Sequence, residues 1–128
     1  MTFRKKDPTG STVEIPDEVT IENKSYKVTR IAKNAFKNNK AAQSITAGSN
    51  VKHIGPDAFN GASKVKEITV TGNVQTVGKD AFKDISSDAM IRVLAQNDAE
   101  FEVVRTLIRG AGLPKTAQVI QELQGTVR

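Results

Sequence analysis

The sequence predicts an α/β solenoid, a short right-handed stack of 23-residue units that each contribute a short strand and a helical turn. Two observations carry this prediction. A signature of two aliphatic residues, an alanine and a phenylalanine occurs three times without insertion or deletion, and a row of isoleucines keeps the same 23-residue spacing. A fixed period of this length is typical of repeat proteins, in which each unit has an apolar face that only its neighbour can cover.

The signature marks the core positions of each unit. Its copies are Val28-x-x-Ile31-x-x-x-Ala35-Phe36, Val51-x-x-Ile54-x-x-x-Ala58-Phe59 and Val74-x-x-Val77-x-x-x-Ala81-Phe82. Because aromatic residues make up only 5% of the chain and Trp is absent, we expect the three phenylalanines to stack and to fill much of the core.

A short polar residue precedes each Ala-Phe pair, at Asn34, Asp57 and Asp80. We interpret these side chains as caps of the helical turn that contains the phenylalanine. A stacked row of acids is also a known way to hold Ca²⁺ in some β-solenoids, but it requires several oxygens at bonding distance. Capping is therefore the interpretation that we prefer.

The strand of each unit is clearest in the middle copy, Val65-x-x-Ile68-x-Val70-x-x-Asn73. This is the strand pattern of leucine-rich repeats with β-branched residues in place of leucine. The alternation of apolar and polar residues predicts one buried and one exposed face. Ile45 and Ile91 begin the neighbouring strands, 23 residues away on either side. Asn50 and Asn73 come after two of the strands, and we expect them to form a ladder that bonds the backbone of the turns.

The two ends of the stack need covers, and the sequence suggests both. We divide the single domain, residues 1–128, into an N-terminal cap (1–27), the repeats (28–93), a C-terminal cap (94–120) and a tail (121–128) that we expect to fray. A polar turn from Glu22 to Ser25 predicts a hairpin in the first cap. Asn97 and Glu100 predict a capping box at the start of a helix over about residues 98–109, and Thr116 to Ile120 a last short strand. The apolar face of that helix consists of Phe101, Val104, Leu107 and Ile108.

These units resemble the BspA-type leucine-rich repeats of bacterial surface proteins. The best matches to the family segment S-V-x-x-I-G-x-x-A-F are Asn50 to Phe59 and Asn73 to Phe82, whereas Ala32 replaces the glycine in the first copy. The resemblance implies a non-enzymatic, secreted or cell-surface module that binds proteins or host surfaces. Residues 1–8 lack the apolar segment of a signal peptide, which leaves a cytoplasmic protein or a mature or excised piece of an exported one, and the resemblance favours the second.

Composition argues against several other classes of protein. The net charge of +5 is compatible with a protein that binds nucleic acid. However, the cations are scattered along the sequence and no aromatic platform accompanies them, so we expect no nucleic-acid partner. No apolar run reaches the length of a membrane span.

His53, the one histidine, occupies a turn position that Arg30 and Thr76 take in the sister repeats. We therefore predict no catalytic residue, no metal site, no cofactor and no enzymatic activity, hydrolysis being the enzymatic alternative.

The remaining candidate surface is the concave face of the sheet. Strand residues that point away from the core there are the candidate binding residues, and they are Ser44, Thr46, Glu67, Thr69, Thr71, Met90 and Arg92, with Gly48 and Leu94 beside them. Extended faces of this kind bind partners in repeat proteins. The plainer interpretation is that threonine suits exposed strands. A structural spacer or terminal cap of a larger secreted protein is the alternative function, and we favour a monomer.

Overall fold

The computed structural model describes residues 2–3 and 12–123 of the chain. It contains eleven strands and one helix in this part of the chain. The strands are β1 (Thr2–Phe3), β2 (Thr12–Glu14), β3 (Glu18–Ile21), β4 (Lys24–Lys27), β5 (Arg30–Ile31), β6 (Ser44–Thr46), β7 (His53–Ile54), β8 (Glu67–Thr71), β9 (Thr76–Val77), β10 (Met90–Ala95) and β11 (Gln118–Leu123), and the helix is α1 (Asp98–Arg109).

Two parallel sheets form because the 23-residue units pair in register. The five-stranded sheet has the order β11-β10-β8-β6-β2, and the four-stranded sheet has the order β1-β5-β7-β9. Ile45 pairs with Ile68 and Ile68 with Ile91, whereas Ile31 pairs with Ile54 and Ile54 with Val77. Each step between paired residues is 23 positions, so the repeat of the sequence becomes the strand register. The right-handed sense of the stack stays a prediction.

The core lies between the two sheets and consists of the positions that the signature marks. Ile31, Ile45, Ile68 and Ile91 have no exposed surface, and the same is true of the signature residues Phe36, Phe59 and Phe82. The rings of Phe36 and Phe59 have centroids 5.5 Å apart, and those of Phe59 and Phe82 are 5.3 Å apart. The predicted phenylalanine column is therefore confirmed.

The segment before each phenylalanine is a series of turns and not the predicted helical turn. Asn34, Asp57 and Asp80 have φ angles of 63°, 57° and 58°, which place them in the left-handed region that Asn and Asp tolerate better than other residues with a side chain. A helix N-cap has extended φ and ψ. The capping interpretation of these three residues was therefore wrong, and backbone conformation explains their identity.

Each coil of the turn segments also bonds to the next coil. The N–H of Phe36 donates to Ala58 O at 2.6 Å, the N–H of Phe59 to Ala81 O at 2.8 Å, and the N–H of Phe82 to Ala111 O at 3.0 Å. These bonds satisfy backbone groups that lie beside a buried core. The last of them shows that the segment after α1 covers the turn of the third repeat.

Glycine is required where successive coils approach most closely. A Cβ atom at Gly78 would lie 2.3 Å from Pro56 N, and one at Gly55 would lie 2.7 Å from Lys33 N. Both contacts are with backbone, which a rotamer change cannot relieve. The glycines of the second and third signatures thus set the spacing between coils, while Ala32 stands at this place in the first.

The N-terminal segment contains the predicted hairpin. Strands β3 and β4 pair antiparallel, with Val19 opposite Tyr26, and Glu22 and Asn23 have positive φ angles, as a tight two-residue hairpin turn requires. The hairpin interrupts the stack, because β2 pairs with β6 across 32 positions, Thr12 with Ser44, in place of 23. Ile21 and Tyr26 on it are 47% and 43% exposed.

The helix predicted near the C-terminal end is present over Asp98–Arg109, with Val104 and Ile108 buried. The capping box is only partly formed: Asn97 Oδ1 accepts from Glu100 N at 2.8 Å, but Glu100 Oε1 accepts from Gln96 N and not from the backbone of Asn97. The last strand is longer than predicted. It continues to Leu123 and pairs with β10 throughout, so residues 121–123 belong to the sheet and not to a frayed tail.

Candidate functional site

The predicted binding residues lie on one side of the five-stranded sheet, which we call the outer face. Its central row crosses all five strands in register and consists of Glu14, Thr46, Thr69, Arg92 and Ile120. Ser44, Glu67 and Met90 form a parallel row beside it. Six of the seven predicted residues, all except Thr71, retain exposed or half-buried side chains here. The fold thus brings those six residues together on one accessible surface.

Thr71 differs from the other six because it is buried, with 3% of its surface exposed. It is opposite Leu94 in the sheet, and its Oγ1 accepts a hydrogen bond from Asn73 N at 3.2 Å. Its hydroxyl therefore shapes the turn after β8. Thr71 is therefore not one of the exposed residues of the outer face, which differs from the prediction.

Arg92 is held between two carboxylates on the outer face. Its Nη2 lies 3.2 Å from Glu67 Oε2 and its Nη1 lies 2.9 Å from Glu122 Oε1. The Nε atom is buried and has no hydrogen-bond partner among the described residues. All three side chains are between 27% and 43% exposed, so the ion pairs orient the guanidinium more than they stabilise the fold.

A groove lies at the carboxyl ends of the strands of this sheet. Its volume is about 520 Å³, and it is lined by residues 14–17, residues 46–49, Thr71 and Leu94. Pro16 is exposed and Leu94 is half-buried in its lining, Ile15 and Ala47 belong to the core, and Glu14 and Asp17 are exposed carboxylates. The groove therefore combines accessible apolar surface with acidic side chains, and we call it the carboxyl-end groove.

Asp17 occupies a fixed position in this groove. Its Oδ1 accepts from Ser49 N at 2.6 Å, and its backbone carbonyl accepts from Val28 N at 2.9 Å and from Asn50 Nδ2 at 3.1 Å. Gly48 permits this close approach, because a Cβ atom there would lie 2.8 Å from Asp17 Oδ1. The carboxylate of Asp17 thus has a fixed orientation in the free protein.

The expected asparagine ladder is formed by bonds to the preceding turn. Asn73 Nδ2 donates to Ser49 O at 3.0 Å, as Asn50 Nδ2 donates to Asp17 O. Both side chains satisfy carbonyl groups that the strands no longer pair. Their role is to hold the turns at the edge of the carboxyl-end groove.

A second cavity, of about 660 Å³, lies between the repeats and α1. Its lining includes Lys52, residues 72–75, Glu100 and Val103. Val103 is 59% exposed, and the Glu100 carboxylate lies against Gly72, where a Cβ atom would overlap it. The carboxylate of Glu100 accepts a hydrogen bond from the backbone at the start of α1. We therefore attribute this cavity to the way the helix docks on the repeats, and not to a ligand site.

His53 lies in strand β7 and not in the turn that the repeats suggested. It pairs with Arg30 on one side and Thr76 on the other, and its Nδ1 lies 2.8 Å from Thr76 Oγ1. The side chain is half-buried on the four-stranded sheet. This contact links two neighbouring repeats, which is a structural role.

Across residues 2–3 and 12–123 the structure shows no group of three or more His, Asp or Glu side chains that could hold a metal ion. Asp57 Oδ1 instead accepts from Asn60 Nδ2 at 2.9 Å. In the same described part, no helix is both long and apolar enough to cross a membrane.

Sequence reasoning missed three residues of this surface. Glu14 and Asp17 were assigned to a cap, although the β2 alternation Thr12-Val13-Glu14 already points Glu14 outward. Glu122 was assigned to the tail, although Gln118 to Glu122 shows the alternation of a half-buried strand. No sequence signal predicts that Arg92 would lie between Glu67 and Glu122.

Comparison with known proteins supports this interpretation of the fold. A scan of protein families matches residues 11–97 to the BspA-type leucine-rich repeat region, in 6 copies. Among solved structures, a leucine rich cell surface protein from Faecalibacterium prausnitzii A2-165 is similar, with a TM-score of 0.60 and 21% identity. The alignment covers 94% of this chain and 38% of that one, so the chain spans well under half of its length. No curated protein matches the sequence.

Proposed function

Because this chain belongs to the BspA-type leucine-rich repeat family, we propose that it is a non-enzymatic, secreted or cell-surface module that binds a protein or a cell surface through the outer face. The observation that carries this proposal is the central row. In it, five neighbouring strands present exposed or half-buried side chains in register. Repeat proteins use such extended sheet faces for recognition.

The balance of side chains on the outer face suits protein recognition. Threonine and serine hydroxyls supply hydrogen-bonding groups at Ser44, Thr46 and Thr69, while Met90 and Leu94 add half-buried apolar surface. Mixed apolar and polar character is usual for interfaces that form between proteins that are also stable apart. The guanidinium of Arg92, which two ion pairs orient, adds a positioned donor beside Thr69 in the central row.

The test uses adhesion of the fluorescently labelled chain to cultured epithelial cells, before and after the cells are treated with trypsin. The variant Thr46→Arg with Thr69→Arg places two long side chains on the central row. The matched control is Gln75→Arg with Ala99→Arg, at two exposed positions that line the second cavity beside α1. We expect the first variant to lose adhesion and the second to keep it, with circular dichroism unchanged for both. Equal adhesion by all three proteins would contradict the proposal.

Arg92 is unsuitable for this test. Its replacement by an acid would remove two ion pairs and place a third carboxylate between Glu67 and Glu122. A loss of binding could then have two causes, the changed surface and the repulsion among three like charges, which the assay would not separate. Substitutions at Thr46 and Thr69 change the surface alone.

A structural role in a larger secreted protein is the second candidate. It is favoured by the coverage of the similar cell surface protein, since this chain aligns with only 38% of that chain. If the role is structural, all variants above adhere equally. A thermal melt of the natural longer polypeptide, with and without Phe59→Ala, would then show one cooperative transition that the substitution lowers.

A further inference from the structure

We propose that the partner of the outer face is an extended polypeptide segment rich in Lys or Arg, whose cationic side chains enter the carboxyl-end groove. This inference rests on the proposed function and adds the chemistry of the partner. It is supported by three properties of the groove and its surroundings: the sign of the charge, the lack of ion-paired cations at its carboxylates among the described residues, and the accessible apolar surface of Pro16 and Leu94.

The outer face has a charge opposite to that of the chain. The chain has a net charge of +5. On the outer face the charged residues of the described strands are Glu14, Glu67 and Glu122 against the single cation Arg92. Asp17 adds a further carboxylate at the carboxyl-end groove. The outer face is therefore an acidic surface on a basic molecule.

The two groove carboxylates have no cation of their own in the described part of the chain. The ion pairs among the described residues join Arg92 to Glu67 and Glu122, and Arg105 to Glu102. Glu14 and Asp17 take part in none of these pairs. A cation from a partner would therefore pair with both carboxylates without displacing any of the ion pairs among the described residues.

The shape of the groove matches the side chains of Lys and Arg. Both have an apolar stem and a charged head, and the stem is commonly buried while the head stays at the surface. Pro16 is exposed and Leu94 is half-buried, so these two residues offer apolar surface to the stem, and Asp17 is held at the rim by Ser49 N. A small anion would be repelled by the carboxylates of the groove, and a purely apolar ligand would leave those carboxylates without a partner.

The partner segment is extended because it must follow the central row across several neighbouring strands. Glu14 and Arg92 are three strands apart in the central row, which corresponds to roughly 14 Å at the usual strand spacing. An extended chain covers this distance with about four residues. Such a segment reaches from the carboxyl-end groove to Arg92 in the central row.

The experiment measures fluorescence anisotropy of two fluorescein-labelled decapeptides, one of alternating Lys and Thr and one of alternating Glu and Thr. We expect the lysine peptide to bind the chain in spite of its net positive charge, and the glutamate peptide not to bind. Glu14→Gln with Asp17→Asn should weaken binding of the lysine peptide about tenfold, as the loss of two partly exposed charge pairs predicts. Asn at position 17 keeps the acceptor for Ser49 N.

The matched control removes the same number of charges from the turns. Asp80→Asn with Asp84→Asn lies at two positions with positive φ, which Asn occupies as readily as Asp. This variant should bind the lysine peptide as the parent does. Equal weakening by both double variants would mean that only net charge matters, and this result overturns the inference. So would absence of lysine-peptide binding, or preference for the glutamate peptide.

The cell-adhesion assay separates this inference from the proposed function. If Thr46→Arg with Thr69→Arg abolishes adhesion while Glu14→Gln with Asp17→Asn changes neither assay, the outer face binds a partner of other chemistry and the present inference is wrong. If none of the variants changes adhesion, the proposed function is wrong as well.

Discussion

The ring of Phe59 stacks on the ring of Phe36, with the centroids 5.5 Å apart and the planes inclined by 13°. The ring of Phe82 lies on the other side at 5.3 Å and is tilted by 32°. Each unit thus contributes one aromatic ring to a column that no single unit could bury. The stability of the whole stack should depend on the middle ring.

Phe59→Ala should destabilise the protein by about 3–5 kcal/mol, because neither neighbour can move to fill the space between two fixed rings. Such a loss is large beside a typical total stability of about 5–15 kcal/mol. Urea unfolding monitored by circular dichroism measures it. Lys64→Ala, at an exposed position of the same unit, should cost less than about 0.5 kcal/mol. Similar midpoints for both variants would show that the column does not support the stack.

Asp80→Ser should destabilise the protein by about 1 kcal/mol, because serine adopts the left-handed conformation less readily than Asp. Asp80→Asn should remain within about 0.5 kcal/mol of the parent, since Asn tolerates positive φ. The same unfolding measurement compares the two. If Asp80 acted as a helix cap, serine would serve as well as Asp, and the two variants would have equal stability.

Gly78→Ala should destabilise the protein by about 1–3 kcal/mol, the usual cost of overpacking, because its Cβ atom would meet Pro56 N at 2.3 Å. Gly110→Ala is the matched control. Gly110 has φ −75°, and a Cβ atom there would meet Thr106 O at an ordinary 3.4 Å. Thermal denaturation of the two variants should differ clearly. A neutral Gly78→Ala would show that the coils can separate at this point.

Calcium should not change the thermal stability. A site with millimolar affinity would add about 1 kcal/mol at about 5 mM Ca²⁺, which would raise the Tm by roughly 4 °C in a domain of this size. We expect the Tm with Ca²⁺ to equal that with EDTA at the same ionic strength. An increase that Asp57→Asn with Asp80→Asn removes would identify the acid row as a cation site after all.

Much of the fold could be predicted because the repeat encodes it directly. The 23-residue register of Ile45, Ile68 and Ile91 is the strand register of the sheet, and the helix over Asp98–Arg109 is predicted by its cap and its apolar face. The turns could not be predicted as readily. Asn and Asp before an Ala-Phe pair suit either a helix cap or a left-handed turn, and residue identity alone does not distinguish the two.

The candidate site depended on tertiary structure to a greater extent. The sequence determined which positions of the repeats point outward, since alternation along a strand is a local property. It did not determine how the two ends join the sheet. The 32-residue step from Thr12 to Ser44 places Glu14 beside Thr46, and the 28-residue step from Met90 to Gln118 places Glu122 within reach of Arg92. Both steps break the 23-residue period, because a hairpin or a helix is inserted, and only the packing of those insertions fixes the register of the end strands.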